Sequence, residues 1–278
     1  MAAAAATESA DLERRFGALR RLYGDAGYAR LRRAQVAVVG LGGVGSWSAE
    51  ALARSGVARL VLIDLDHVSE SNVNRQVQAL SRTLGQHKGQ ALCERIIEIH
   101  PGCEVHVVDA FVESDNWPAL LPVPVEAVID ACDQTPAKTA IAAWGLRERV
   151  PLVTVGAAGG KRLAQCVEVD DLASATHDPL LASLRQRLRR EGVAPRQGSI
   201  GLRCVFSREN IVAPLPAGDV AADVAAMAAA ASDAPSLGSG AGDGSLNCHG
   251  YGSVVMVTAT FGMVAAGEAI AQLLRRPV

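Results

Sequence analysis

Short apolar runs alternate with longer segments of helical period over the first 160 positions. VAVVG at 36–40 is followed by GGVGSWSAEALARS, and RLVLID at 59–64 by a polar stretch and then KGQALCERIIEI. The apolar runs are too short for buried helices and carry Val and Ile, so they predict strands; the intervening segments repeat their apolar positions every three to four residues and predict helices. EVHVVD, EAVID and PLVTVG continue the series, with TPAKTAIAAWGLRER predicting a helix between the last two.

Alternation of this kind predicts an α/β fold: a Rossmann-like, mainly parallel sheet with helices on both faces. Right-handed crossovers would place all strand C-termini on one edge. Residues 12–33 set seven arginines (Arg14, Arg15, Arg20, Arg21, Arg30, Arg32, Arg33) among Leu, Phe and Tyr, predicting an amphipathic N-terminal helical arm. Beyond Gly160 the pattern predicts a C-terminal α/β extension. Its parts are a strand at 163–169, a basic helix around LLASLRQRLRRE and a strand at 202–206. Residues 1–10 read as a disordered tail and 11–278 as one domain, with a mobile low-complexity insertion at about 216–245 that holds almost no large apolar residue. The apolar stretch 254–274 has the length of a membrane span, but its Glu268 and Gln272 favour a core helix over stable membrane insertion.

Composition narrows the picture. A net charge of −2 excludes a global basic field, so any nucleic-acid contact must be local. The six cysteines (Cys93, Cys103, Cys132, Cys166, Cys204, Cys248) include no CxxC pair and no zinc spacing, so neither a disulfide scaffold nor zinc is expected. Reduced thiols and the absence of a signal-peptide pattern predict a cytoplasmic protein.

Gly40, Gly42 and Gly45 form GxGxxG between a predicted strand and helix. There glycine permits a tight turn and close approach of phosphate to free helix N–H groups. Asp64, ending the second strand, is placed to accept from ribose hydroxyls. These features fit NAD as well as ATP. The cluster DLDHVSESNVNRQ distinguishes the two, with Asp66, Ser71, Asn72, Asn74, Arg75 and Gln76 just past the strand end. Hydride transfer has no use for such donors, whereas attack of a carboxylate on an α-phosphate does. Lys88, one of three lysines among 27 basic residues, opens the next helix. Asp133 lies on the same edge and could hold Mg²⁺ with the phosphates, or could instead cap the helix that follows it.

At these residues the chain resembles the ubiquitin-activating-type adenylyltransferases, which include the enzymes that activate sulfur carriers. The resemblance implies an ATP site at Gly43 and its neighbours, Asp64, Asn72, Arg75, Lys88 and the metal-binding Asp133. It also implies a homodimer in which an N-terminal arginine, with Arg14, Arg15, Arg20 and Arg21 all candidates, reaches the partner's ATP. The segments RRFGALRRLYG, DPLLASLRQRLRR, LRCVFSREN and GYGSVVMVTATFG are similar to the branch acting on threonylcarbamoyladenosine in tRNA. That likeness implies adenylation of the threonyl carboxylate and dehydrative ring closure. Arg185, Arg189 and Arg190, with Lys161 and Arg162, are then candidates for tRNA phosphate contacts. Other readings are a sulfur-carrier adenylyltransferase with a sulfur-transfer partner, an NAD-dependent oxidoreductase, and a nucleotide-sensing module without catalysis. Cys248 reads as a buried thiol and not as a nucleophile.

Overall fold

The computed structural model describes residues 11–214 and 251–275. The tail at 1–10, the whole of the predicted insertion at about 216–245, Cys248 and His249 lie outside the described residues.

Seven strands form one sheet in the order β3-β2-β1-β4-β5-β7-β6. They are β1 (Gln35–Val39), β2 (Arg59–Ile63), β3 (Glu104–Val108), β4 (Ala127–Asp130), β5 (Leu152–Val155), β6 (Val167–Asp171) and β7 (Arg203–Ser207). All neighbours pair in parallel except β6, which runs antiparallel to β7 at the edge. Chain order reverses between β1 and β4, so the connections leaving their C-terminal ends run to opposite faces of the sheet and leave the crevice where open parallel sheets bind ligands.

The helices are α1 (Leu12–Phe16), α2 (Ala18–Leu31), α3 (Gly45–Arg54), α4 (Lys88–Ile99), α5 (Thr135–Glu148), α6 (Pro179–Arg190) and α7 (Val255–Arg275). Residues of β1 alternate between the two faces. Val36 and Val38 join the core under α3, α4 and α7, whereas Ala37 and Val39 join the core under α5 and α6. Both faces are therefore covered, which explains why the central strands read as continuous apolar runs.

Helix α7 carries the long apolar segment. It packs on α3 and the sheet, burying Val257, Phe261, Ala265, Ala266, Ala269, Ile270 and Leu273. A Cβ at Gly262 would lie 2.5 Å from the Val44 carbonyl oxygen and 2.7 Å from Trp47 Cβ, so only glycine allows the two helices to meet this closely. Glu268 pairs with Arg203 of β7 at 3.3 Å. By length and composition α7 is also able to cross a membrane, but half of its most apolar window is buried against the protein.

The N-terminal arm is two helices joined at Gly17, with a non-helical residue at Gly24 inside the second. Arg15 Nη1 donates to the carbonyls of Glu98 and Ile99, both at 2.7 Å, at the C-terminal end of α4. Phe16 packs edge-on against His100 with ring centroids 4.7 Å apart, and the Arg32 guanidinium lies 5.4 Å from the Phe16 centroid. The strand expected at 163–169 is shorter than its pattern. The carboxylate of Glu209 accepts the N–H groups of Arg162 and Leu163, and residues 164–166 form a 3-10 turn before β6 begins at Val167. Backbone donors captured by a side chain cannot join a ladder.

Candidate functional site

A cavity of about 630 Å³ opens along the C-terminal edge, bordered by the ends of β1, β2, β4 and β5. Gly40 leaves β1 with φ 81°, a left-handed turn that glycine takes without steric cost. Gly42 and Gly43 line the cavity, and a Cβ on Gly42 would meet nothing within 4 Å. Gly45 does not line it. A Cβ there would collide with the Gly40 carbonyl oxygen, so its role is close packing of α3 on the loop. No side chain caps α3; the Ser46 N–H in its first turn donates to the Gly42 carbonyl at 3.2 Å, so the loop closes onto the helix N-terminus, the end of a helix that favours an anion.

Asp64 is buried and pins the loop. Oδ2 accepts the N–H of Leu41 at 2.6 Å and Oδ1 that of Asp66 at 2.8 Å. Lys88, 6% exposed at the N-terminus of α4, donates to Asp66 Oδ2 at 2.7 Å and lies 4.0 Å from Asp64 Oδ1. His87, nominated by nothing in the sequence, places Nε2 2.9 Å from the Asp64 carbonyl and 3.1 Å from Asp109.

The polar cluster folds as a 3-10 turn at Glu70–Asn72. Asn72 Oδ1 accepts the Ser69 N–H at 3.1 Å, and the Ser69 and Ser71 hydroxyls lie 2.9 Å apart. Arg75 Nη1 donates to the Ser71 carbonyl at 2.6 Å and to Asn74 Oδ1 at 3.0 Å. Its own carbonyl accepts from Trp47 Nε1 at 2.9 Å, tying the cluster to α3. Asn74 Nδ2 reaches the Ser253 carbonyl at 2.9 Å, just before α7. Gln76 is buried, with Oε1 accepting from Gln78 at 3.2 Å.

Asp133 is exposed on the opposite wall. It does not cap α5, because Gln134 takes that position. Beneath it Asp130 and Lys138, both fully buried, pair at 2.9 Å, and Thr154 Oγ1 donates to the same carboxylate oxygen at 2.8 Å. Burial, the largest single effect, lowers the Lys138 ammonium pKa, but attraction to Asp130 and Cys132, the Asp130 hydrogen bond and the Asp178 charge together leave it raised. Burial pushes the neighbouring Cys132 thiol well above its usual range. This network anchors the loop that carries Asp133, and only a fold-level view brings Thr154 to it.

The remaining candidates fall elsewhere. Arg15 and Arg21 do not line the cavity of their own chain; Arg15 fastens the arm to α4, and Arg21 is exposed on α2. Lys161 requires correction as a surface phosphate contact. It is 2% exposed and donates to the carbonyls of His177 at 3.0 Å, Ser207 at 3.4 Å and Glu209. Arg185 is likewise engaged with the carbonyls of Leu172 and Ala175. Arg162 is half-buried beside Glu209, Arg189 donates to the Gly198 carbonyl at 3.1 Å, and Arg190 is exposed. Among the described residues no group of three or more His, Cys, Asp or Glu forms a metal cluster.

A glycine loop at a sheet reversal, an acid ending β2, and Arg75, Lys88 and Asp133 around one cavity define a nucleotide-binding α/β protein equipped to stabilise phosphoryl charge. A model of the ThiF family matches residues 15–278, and the chain belongs to that family. It is 42% identical over 265 residues to the tRNA threonylcarbamoyladenosine dehydratase of Escherichia coli, covering 94% of each chain. Identity to the Haemophilus influenzae protein of the same name is 35%, covering 95% of each. The crystal structure of the E. coli enzyme in complex with ATP matches with a TM-score of 0.79 at 39% identity, over 96% of this chain and 97% of that one.

Proposed function

We propose that this chain is an ATP-dependent enzyme that adenylates the threonyl carboxylate of threonylcarbamoyladenosine in tRNA and then closes the ring with net loss of water. The observation that carries the reading is the convergence of Lys88, Arg75 and Asp133 on the cavity that the glycine loop enters. Full-length similarity to dehydratases, one of them in complex with ATP, supports it.

In this reading the carboxylate attacks the α-phosphate and pyrophosphate departs. The threonylcarbamoyl group then attacks the activated carbonyl and AMP leaves. Arg75 and Lys88 oppose the charge that gathers on the phosphoryl oxygens, and Asp64 orients the ribose. Asp133 suits Mg²⁺, which typically takes one or two protein carboxylates and completes its shell with phosphates and water. The polar side of α6, with Arg190 exposed and Arg187 half-buried, faces tRNA phosphates. The chain acts in the cytoplasm as a homodimer in which an exposed arginine of the N-terminal arm, Arg14 or Arg21, reaches across.

Incubation with ATP, Mg²⁺ and tRNA carrying threonylcarbamoyladenosine, followed by mass analysis of the nucleosides, tests the reading. Loss of one water is the expected result; an unchanged nucleoside overturns it.

A further inference from the structure

The cavity continues past Asp133 to the end of β5, where its wall is the run Gly156, Ala157, Ala158 and Gly159. These side chains carry no chemistry, yet one neighbouring dipeptide holds the wall at both ends. Asp178, 5% exposed, divides its carboxylate between two elements. Oδ1 accepts the Leu181 N–H at 2.9 Å as the N-cap of α6, and Oδ2 accepts the Ala157 N–H at 2.8 Å. One residue earlier, the His177 carbonyl accepts from Lys161, just beyond the wall, at 3.0 Å.

Two further features belong to this arrangement. His177 has φ 58°, a left-handed conformation that residues other than glycine adopt infrequently. A Cβ at Gly156 would collide with the Asp178 carboxylate. Burial pushes the Asp178 carboxyl up from its usual range, while the two N–H groups and the charge of Lys161 oppose that rise. Capping a helix requires one oxygen and no left-handed neighbour, so the second bond has another purpose.

We propose that Asp178 is a positioning residue that fixes the 156–159 wall to α6 and so shapes the end of the cavity receiving the acceptor carboxylate. The inference rests on the adenylation reading. Asp64, the glycine loop, Arg75 and Lys88 account for the nucleotide, and the second reactant must reach the α-phosphate through the same cavity. The β5 end, beyond Asp133, borders that cavity without a charged side chain in the 156–159 run and so suits the entry of a carboxylate. Glycine and alanine there present backbone to the substrate without bulk. Leu180 of α6 also lines the cavity, so the helix bearing Arg187 and Arg190 borders the acceptor end.

Asp178→Ser keeps a hydroxyl for the α6 cap but cannot also reach Ala157. Gly156→Ala disturbs the same contact from the other side with Asp178 intact. Both full-length variants are assayed with ATP, Mg²⁺ and tRNA carrying threonylcarbamoyladenosine, with rates expressed per ATP-binding site. The expected result is an ATP Kd within about twofold of wild type and turnover per site lower by roughly tenfold or more, as small misplacements of reacting groups cause. A purely structural role would reduce the number of ATP-binding sites and leave the rate at each unchanged; that result in both variants overturns the proposal. Loss of ATP binding by both also overturns it, because the wall would then serve the nucleotide. A wild-type protein that binds ATP but leaves the nucleoside unaltered overturns the adenylation reading itself.

Discussion

The ammonium of Lys88 stands between two carboxylates, 2.7 Å from Asp66 and 4.0 Å from Asp64, at the first turn of α4. Asp64 is committed to the glycine loop through the Leu41 N–H, so loop and lysine share one anchor. Asp66 is more than half exposed and can yield its place as a triphosphate approaches. Lys88→Met should therefore reduce ATP-dependent AMP formation by about 10²–10³-fold, the usual cost of losing one preorganised donor to developing charge. Lys88→Arg should not restore it, because a planar guanidinium does not present its charge at the point where the compact ammonium sits between Asp64 and Asp66. Pyrophosphate release, measured beside a thermal melt, checks both; wild-type rates in either variant would contradict the assignment.

Two glycines three residues apart should respond differently to one methyl group. Gly42→Ala projects into open space and should keep stability within about 0.5 kcal/mol, while weakening ATP binding by crowding the phosphates. Gly45→Ala meets the Gly40 carbonyl and should cost roughly 1–3 kcal/mol or more. Urea unfolding midpoints and ATP titrations of the two variants separate these effects.

His100 carries a pH dependence. It is fully buried beside Arg32, whose Nη1 lies 2.6 Å from its Nε2, and burial followed by the Arg32 charge lowers its pKa to about 4. The unfolded chain, with an ordinary histidine pKa near 6.5, takes up this proton first as pH falls. Stability from this group is thus complete above about pH 6.5 and declines as pH falls toward 4, by about 3 kcal/mol at most. His100→Gln keeps an acceptor for Arg32 and should flatten the decline. Urea denaturation of both proteins at pH 7.5 and 4.5 measures the difference, and equal slopes would refute it.

The arginines of α6 should divide by their hydrogen bonds. Arg190→Glu should weaken tRNA binding, spare ATP binding and reduce the slope of log affinity against log salt by about 1, as expected for one lost phosphate contact. Arg185→Glu should chiefly lower the melting temperature, since it abandons the carbonyls of Leu172 and Ala175. Filter binding across a salt series distinguishes the two.

The βα units through β5 were legible because both sheet faces are covered and the strand ends carry the motif residues at short spacing. Asp64, Lys88 and the Asn72–Arg75 cluster belong to that local record. What was misread depends on partners distant in sequence. Lys161 looked like a surface cation because its acceptors Ser207 and Glu209 lie 46 and 48 positions away. The strand at 163–169 starts later than its pattern because the same Glu209 takes the N–H groups of Arg162 and Leu163 where it would begin. Asp178 left one local sign, an Asp-Pro pair opening a helix, but its bond to Ala157 had none. Phe111 and Thr258 reach the cavity only through the fold.

The seating of α7 on α3 has a consequence for biosynthesis. Thr258 borders the cavity, a Cβ at Gly43 would lie 3.2 Å from its Cγ2, and Ser48 donates to the Gly262 carbonyl across 214 positions. A nascent chain that has emerged through β5 already carries the whole glycine motif, but the helix that closes around it has yet to be translated. Nucleotide affinity should thus arise late in synthesis, so that ATP is captured only after α7 has left the ribosome.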